Sequence, residues 1–197
     1  MSEFMDIITS DNLSYKQKVL HLAQAAENSE HPIKTTAEFD RLFAAHALDD
    51  MCEGNAPYRP RYICPDYQVF AQNGSEFLRF DKPETLDDLL WGLAALYDNV
   101  PSVTSRPVYV GQLDKIIDPF LEGMTDAEIK PRLRRFLNHI DRTVASGYCH
   151  ANIGPEDTRA GRLLLEVDRE LMNAVPNFTL KYDPEVTSDE FMRLAVK

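Results

Sequence analysis

Apolar residues recur at helical spacing through most of this chain, and only near the carboxyl end does the period shorten to two. There Phe178, Leu180 and Tyr182 alternate with Thr179 and Lys181, the pattern of a half-buried β-strand. One strand leaves its backbone donors and acceptors unpaired, so it needs a neighbour that a helix-rich sequence barely offers. Beyond it, Thr187-Ser188-Asp189-Glu190 opens a helix whose Phe191, Leu194 and Ala195 run out at Lys197 with no stop signal. A strand followed by such a helix reads as the opening of a strand–helix repeat and predicts a reading frame that continues. The competing expectation is a natural terminus whose last helix frays.

The helical segments are bounded by recognisable chemistry. The spacing predicts a helix from about Ser14, with Tyr15, Val19, Leu22, Ala23 and Ala26 on one side. Thr35 with Glu38 reads as a capping box for a second helix carrying Phe39, Leu42, Phe43 and Ala47, with Gly54 as the stop beyond it. Three prolines make residues 57–65 irregular, and a short helix is expected from Asp66 to Gln72. Thr85 to Asp98 carries the strongest stripe, Leu86, Leu89, Leu90, Leu93, Leu96 and Tyr97, with Asp87 and Asp88 in the favourable first turn. Gly111 to Leu121 reads as a further helix. Thr125-Asp126-Ala127-Glu128 is a second capping box, after which Pro131 predicts a kink or a break in a helix reaching Ser146 and stopped by Gly147. Pro155 or Thr158 opens the next, carried by Leu163, Leu164, Val167 and Leu171.

Bulk properties exclude several functions. An apolar content of 44% and a charged content of 27% over 197 residues suit a folded domain or one lobe of a larger one. A net charge of −11 repels nucleic-acid phosphates and anionic membranes. No apolar run approaches a bilayer span, and the first thirty residues lack a basic-then-apolar signal pattern, which argues against secretion. Cys52, Cys64 and Cys149 are odd in number and without CxxC spacing, so neither a disulfide framework nor a zinc site is expected, and the setting reads as reduced and cytoplasmic.

The densest run of unusual residues is 99–114, Asn-Val-Pro-Ser-Val-Thr-Ser-Arg-Pro-Val-Tyr-Val-Gly-Gln-Leu-Asp. Ser102, Thr104, Ser105 and Arg106 combine small hydroxyls with a forked cation, a set able to hold a carboxylate or phosphate. The plainer account is a loop whose polar side chains satisfy backbone between Pro101 and Pro107. Tyr148-Cys149-His150 sets a thiol beside an imidazole, but sequence neighbours usually diverge, which favours a buried, inert cysteine. His150 either meets a ligand or hydrogen-bonds backbone. Arg132, Arg134 and Arg135 read as a solvated face that offsets nearby acids. No phosphate-loop, dinucleotide, zinc-protease or nucleophile-elbow motif is present, and no cluster has metal-ligand spacing.

This run, with Pro57-Tyr58-Arg59-Pro60-Arg61-Tyr62, Pro65-Asp66-Tyr67, Asn73-Gly74-Ser75-Glu76-Phe77-Leu78 and His150-Ala151-Asn152-Ile153-Gly154-Pro155, resembles the N-terminal part of YjjI-type glycyl radical enzymes. The resemblance runs from about Met51 to the last residue, and residues 1–50 match loosely, as a helical leader. It implies one partial domain: the mainly α N-terminal region, with one or two short strands, of a ten-stranded α/β barrel whose first strand–helix unit is 177–197. In that family a thiyl-forming cysteine and a radical-bearing glycine lie further along a chain more than twice this length. A radical S-adenosylmethionine enzyme would install the radical, so this chain is expected to bind no cofactor and to be inactive alone in the reducing, anaerobic setting such radicals need.

Gly147-Tyr148 is superficially similar to the radical-glycine context, but Thr143 stands where its arginine belongs, and Gly147 reads as a helix stop. Gln112 and Asp114 match an element that carries arginine at the Gln112 position in other glycyl radical enzymes. The resemblance implies no catalytic residue here and makes Arg106, Ser102, Thr104, His150 and Asn152 candidate substrate contacts. Expected partners are the activating enzyme and the remainder of the barrel, with self-association of the isolated chain. The alternatives are a helical interaction module that pairs with a separately encoded barrel, or a small cofactor-independent enzyme built on His150 and Arg106.

Overall fold

The computed structural model describes residues 3–28, 34–48, 66–76, 78–99, 108–143 and 149–196. The chain divides into two compact units, residues 1–63 with 102–106, and residues 64–101 with 107–197. The first holds α1 (Glu3–Thr9), α2 (Tyr15–Asn28) and α3 (Ala37–Ala44). Helix α2 lies where the stripe from Tyr15 places it, whereas α1 was not legible as a periodic segment. The α3 cap is Thr36, whose hydroxyl accepts the Phe39 N–H, while Thr35 instead donates to Asp40. Lys18 Nζ donates to the Ile8 carbonyl at 2.7 Å and ties α2 to α1.

The second unit contains α4 (Tyr67–Asn73), α5 (Leu86–Asn99), β1 (Val108–Val110), α6 (Leu113–Ile117), α7 (Asp126–Thr143), β2 (Cys149–Ile153), α8 (Arg159–Leu171), β3 (Asn177–Leu180) and α9 (Asp189–Ala195). The fold is mainly α, as expected, but the strands number three among the described residues rather than one or two. The strand read from Phe178 and Leu180 is therefore the third in chain order, not the first. It is not short of a neighbour: β1, β2 and β3 form a parallel sheet in that order, with Tyr109, His150 and Asn177 in one register row and Asn152 beside Thr179.

The α5 stripe is buried as its spacing dictates, from Leu86 to Tyr97, and shares one apolar core with Ile129, Leu133, Phe136, Leu137 and Ile140 of α7 and Leu163, Leu164 and Val167 of α8. Helix α7 crosses Pro131 without a break. The proline lies in the second turn and removes the bond to the Ala127 carbonyl, and the continuous buried face from Ile129 to Ile140 carries the helix across it. The segment read as a single helix from Gly111 divides. Gln112 is left-handed (φ 57°), α6 begins at Leu113, and a 3-10 turn, Asp118–Leu121, carries Pro119, which has no N–H to continue the α pattern. Arg132 and Arg135 reach Asp87 at 3.0 and 3.7 Å, and Arg134 pairs with Glu170, so the arginine trio bridges α7 to α5 and α8.

Candidate functional site

Successive side chains of a strand point to opposite sides. Val108 and Val110 of β1, and Cys149, Ala151 and Ile153 of β2, are fully buried in the core; Phe178 and Leu180 of β3 pack against it. The other side of the same rows carries Tyr109, His150, Asn152, Asn177 and Thr179, with Lys181 at the end of β3. Parallel sheets are ordinarily apolar on both faces. This one is apolar on one face and polar on the other.

Two sequence elements interlock at the carboxyl ends of β1 and β2. The Asn152 side-chain oxygen accepts the backbone N–H of Gln112, which fixes the left-handed turn between β1 and α6. Asp114, two residues further on and wholly buried, accepts the Gly154 N–H at 3.2 Å and the Thr158 hydroxyl at 2.9 Å on one oxygen. Its other oxygen is buried without a hydrogen-bond partner among the described residues. Burial raises the Asp114 carboxyl above the usual carboxylate value, against the Gly154 and Thr158 bonds that pull it down. Thr158 in turn caps α8 by accepting the Gly161 N–H, and Asp118 accepts the Ala160 N–H at 2.8 Å. Lys115 and Glu156 close the same junction at 2.6 Å. Gly154 is required in this turn. Its φ is +78°, and a Cβ would stand 2.9 Å from the Lys181 carbonyl.

An open cleft of about 370 Å³ lies against this edge, lined by Tyr109, Gly111, Gln112 and Lys181 together with Asp66, Tyr67 and Gln68 of α4. The Gln68 side-chain amide donates to Gln112 Oε1 at 3.0 Å. The Asp66 carboxylate is used as the α4 cap, accepting the Val69 N–H at 3.0 Å. In parallel α/β sheets, ligands bind outside the carboxyl ends of the strands, which is where this cleft lies.

Of the residues singled out from sequence, His150 lies half-buried on the polar face, with its imidazole driven below its ordinary pKa by burial, hence neutral at pH 7. Its carbonyl accepts the Tyr97 hydroxyl at 3.3 Å. Asn152 lies two residues along the same face, its oxygen committed to Gln112. Cys149 points the other way, into the core, and burial followed by the nearby Asp98 charge pushes its thiol up to about 11. The structure thus separates Cys149 from the side on which His150 lies, and the thiol is protonated at neutral pH. Arg106, Ser102, Thr104 and Ser105, like Gly147, Tyr148, Cys52, Cys64 and residues 57–65, lie outside the described residues. Sequence reasoning passed over Tyr109, Asn177, Thr179 and Lys181. The signal was present: Cys-His-Ala-Asn-Ile alternates strictly between apolar and polar, and the polar positions line one face. No His, Cys, Asp and Glu grouping able to hold a metal occurs among the described residues, and no described helix is long and apolar enough to cross a membrane.

Comparison with known proteins places the chain. Residues 13–197 match the model of the glycyl radical enzyme YjjI-like family. The chain belongs to this family. It is 45% identical over its whole length to an uncharacterised protein of Haemophilus influenzae, and spans 38% of that protein. It is 46% identical over 94% of its length to the uncharacterised protein YjjI of Escherichia coli, and spans 36% of that one. No solved structure matches. The match reaches back to residue 13, so the helices read as a loosely matching leader are also covered by the family.

Proposed function

We propose that this chain is the N-terminal portion of a YjjI-type glycyl radical enzyme and that it supplies one wall of the ligand chamber, with the radical chemistry carried by sequence beyond the portion of the family it spans. The observation that carries this reading is the two-sided sheet. Its apolar face is spent on a helical core, and a row of tyrosine, histidine, asparagine and threonine is kept on the other. Such a face suits a water-containing cavity that binds a polar small molecule. β3 is paired only with β2 among the described residues, which leaves an edge for a further strand of an α/β barrel.

In this reading His150 and the polar face meet substrate, and Asn152 acts through the Gln112 turn. Arg106, Ser102 and Thr104, which lie outside the described residues, are separately proposed as anion contacts. A radical S-adenosylmethionine partner would place the radical on a glycine of the remaining sequence, and no residue of this chain takes a catalytic role. A chimera tests the reading. This chain would replace the corresponding N-terminal part of the Haemophilus relative, followed by anaerobic incubation with the activating enzyme and electron paramagnetic resonance. The expected result is a glycyl doublet from the chimera and from the intact relative, and none from the chain alone. A doublet from the chain alone, or none from a soluble chimera while the intact relative gives one, overturns it.

A further inference from the structure

We propose that the cleft at the carboxyl edge of the sheet binds a small carboxylate, with the Lys181 ammonium as its counter-charge. This rests on the reading of the polar face as a ligand wall, and it names the ligand class.

The charges around the cleft decide the sign. Asp66 is the only carboxylate among the described lining residues, and that group is turned to its own helix as the α4 cap. Gln68 and Gln112 contribute neutral amides that hold one another, which leaves the second amide N–H₂ and the remaining carbonyl to a ligand. Tyr109 contributes a phenol from the middle of β1. Lys181 is the one cation among the described lining residues, exposed at the end of β3, and its side chain makes no ion pair among the described residues. Its backbone is fixed, because the Lys181 N–H donates to the Ile153 carbonyl at 2.9 Å and continues the β2–β3 ladder one residue past β3. Glu156, the acid close enough to feel Lys181, is taken by Lys115 at 2.6 Å. In a chain of net charge −11, a cation held at a strand end above a cleft of amides is the element that selects an anion. The volume, about 370 Å³ and open to solvent, is ample for a small carboxylate.

The test uses the full chain, labelled with ¹⁵N, titrated with sodium acetate at constant ionic strength and followed by amide shifts. Acetamide is the neutral isostere, and inorganic phosphate separates a carboxylate site from a general anion site. The expected result is saturable movement of the Gly111, Gln112 and Lys181 backbone amides and the Gln68 and Gln112 side-chain amides with acetate, and none with acetamide. Lys181→Met should weaken acetate by about tenfold or more, the worth of one charge-assisted bond, and Lys181→Arg should restore it. Equal response to acetamide, tighter binding of phosphate, indifference to Lys181→Met, or no saturable movement overturns the proposal. A chimera that forms its doublet while acetate fails to bind removes only the carboxylate. Acetate binding beside a chimera without a doublet keeps the site and removes the radical-enzyme reading.

Discussion

Asp114 joins three elements through a single oxygen. Gly154 ends β2, Thr158 caps α8, and Asp114 itself opens α6. Removing the carboxyl with Asp114→Ala strands two buried donors, each worth about 1–3 kcal/mol when left unmade, so a loss of about 2–5 kcal/mol is expected in urea unfolding. Asp114→Asn keeps an oxygen for both donors and removes the buried charge, so it should cost far less. The pH dependence separates the two effects. Burial raises the folded carboxyl above its unfolded value near 3.8, so the ionised form weighs against the fold at neutral pH. As pH falls through the folded value toward 3.8, the folded state takes up the proton first and the stability contribution of Asp114 grows. The stability of Asp114→Asn relative to the parent should therefore fall between pH 7 and pH 4. A difference that stays flat or rises over that range would show that burial does not raise this carboxyl.

At the scale of elements, close approach sets what the α8–α9 junction tolerates. A Cβ on Gly161 would stand 2.8 Å from Phe191 Cζ and 2.9 Å from the Thr158 hydroxyl, and neither can retreat. Phe191 is fully buried, and Thr158 is held by Asp114 and the Gly161 N–H. Alanine in a helix ordinarily gains about 1 kcal/mol over glycine, yet Gly161→Ala should lose about 1–3 kcal/mol, because overpacking exceeds propensity here. Gly111→Ala, with nothing nearer than 4.0 Å, should leave the melting temperature almost unchanged. The same junction shows what sequence could and could not reveal. The helix starts near Asp66, Thr158 and Ser188 and the stripes of α5, α7 and α8 were legible, because capping chemistry and helical periodicity are local. β1 and β2 were not recognised. Val108–Val110 is only three residues long, and the inward residues of β2, Cys149 and Ala151, are small enough that the alternation is quiet beside a motif read for its chemistry. The Asn152–Gln112 and Asp114–Gly154 bonds join residues 40 apart, a pairing that only the parallel register reveals. That is why Asn152 was noticed for its side chain and Lys181 only as an alternating position of the strand.

For the whole molecule, the question is what the β3 edge does in solution. The strand pairs on one side only among the described residues, alternates exposed and half-buried residues, and carries Phe178 and Leu180 against the core and Thr179 on the polar face. It has no charged residue, proline or bulge of the kind that blunts natural edges, so its backbone groups can template another strand. The net charge of −11 opposes contact between copies, and its reach shrinks from about 10 Å at 0.1 M salt to about 3 Å at 1 M. These two effects give a prediction with a definite sign. Sedimentation velocity of the chain should show concentration-dependent association that strengthens with added sodium chloride, the opposite of an assembly held by ion pairs. Thr179→Lys places a charge on the exposed edge and should return the chain to monomer at the same salt while leaving its unfolding free energy within about 0.5 kcal/mol of the parent. A chain that stays monomeric from low to high salt, or a Thr179→Lys variant that associates as the parent does, would show that the β3 edge is not the surface through which copies meet.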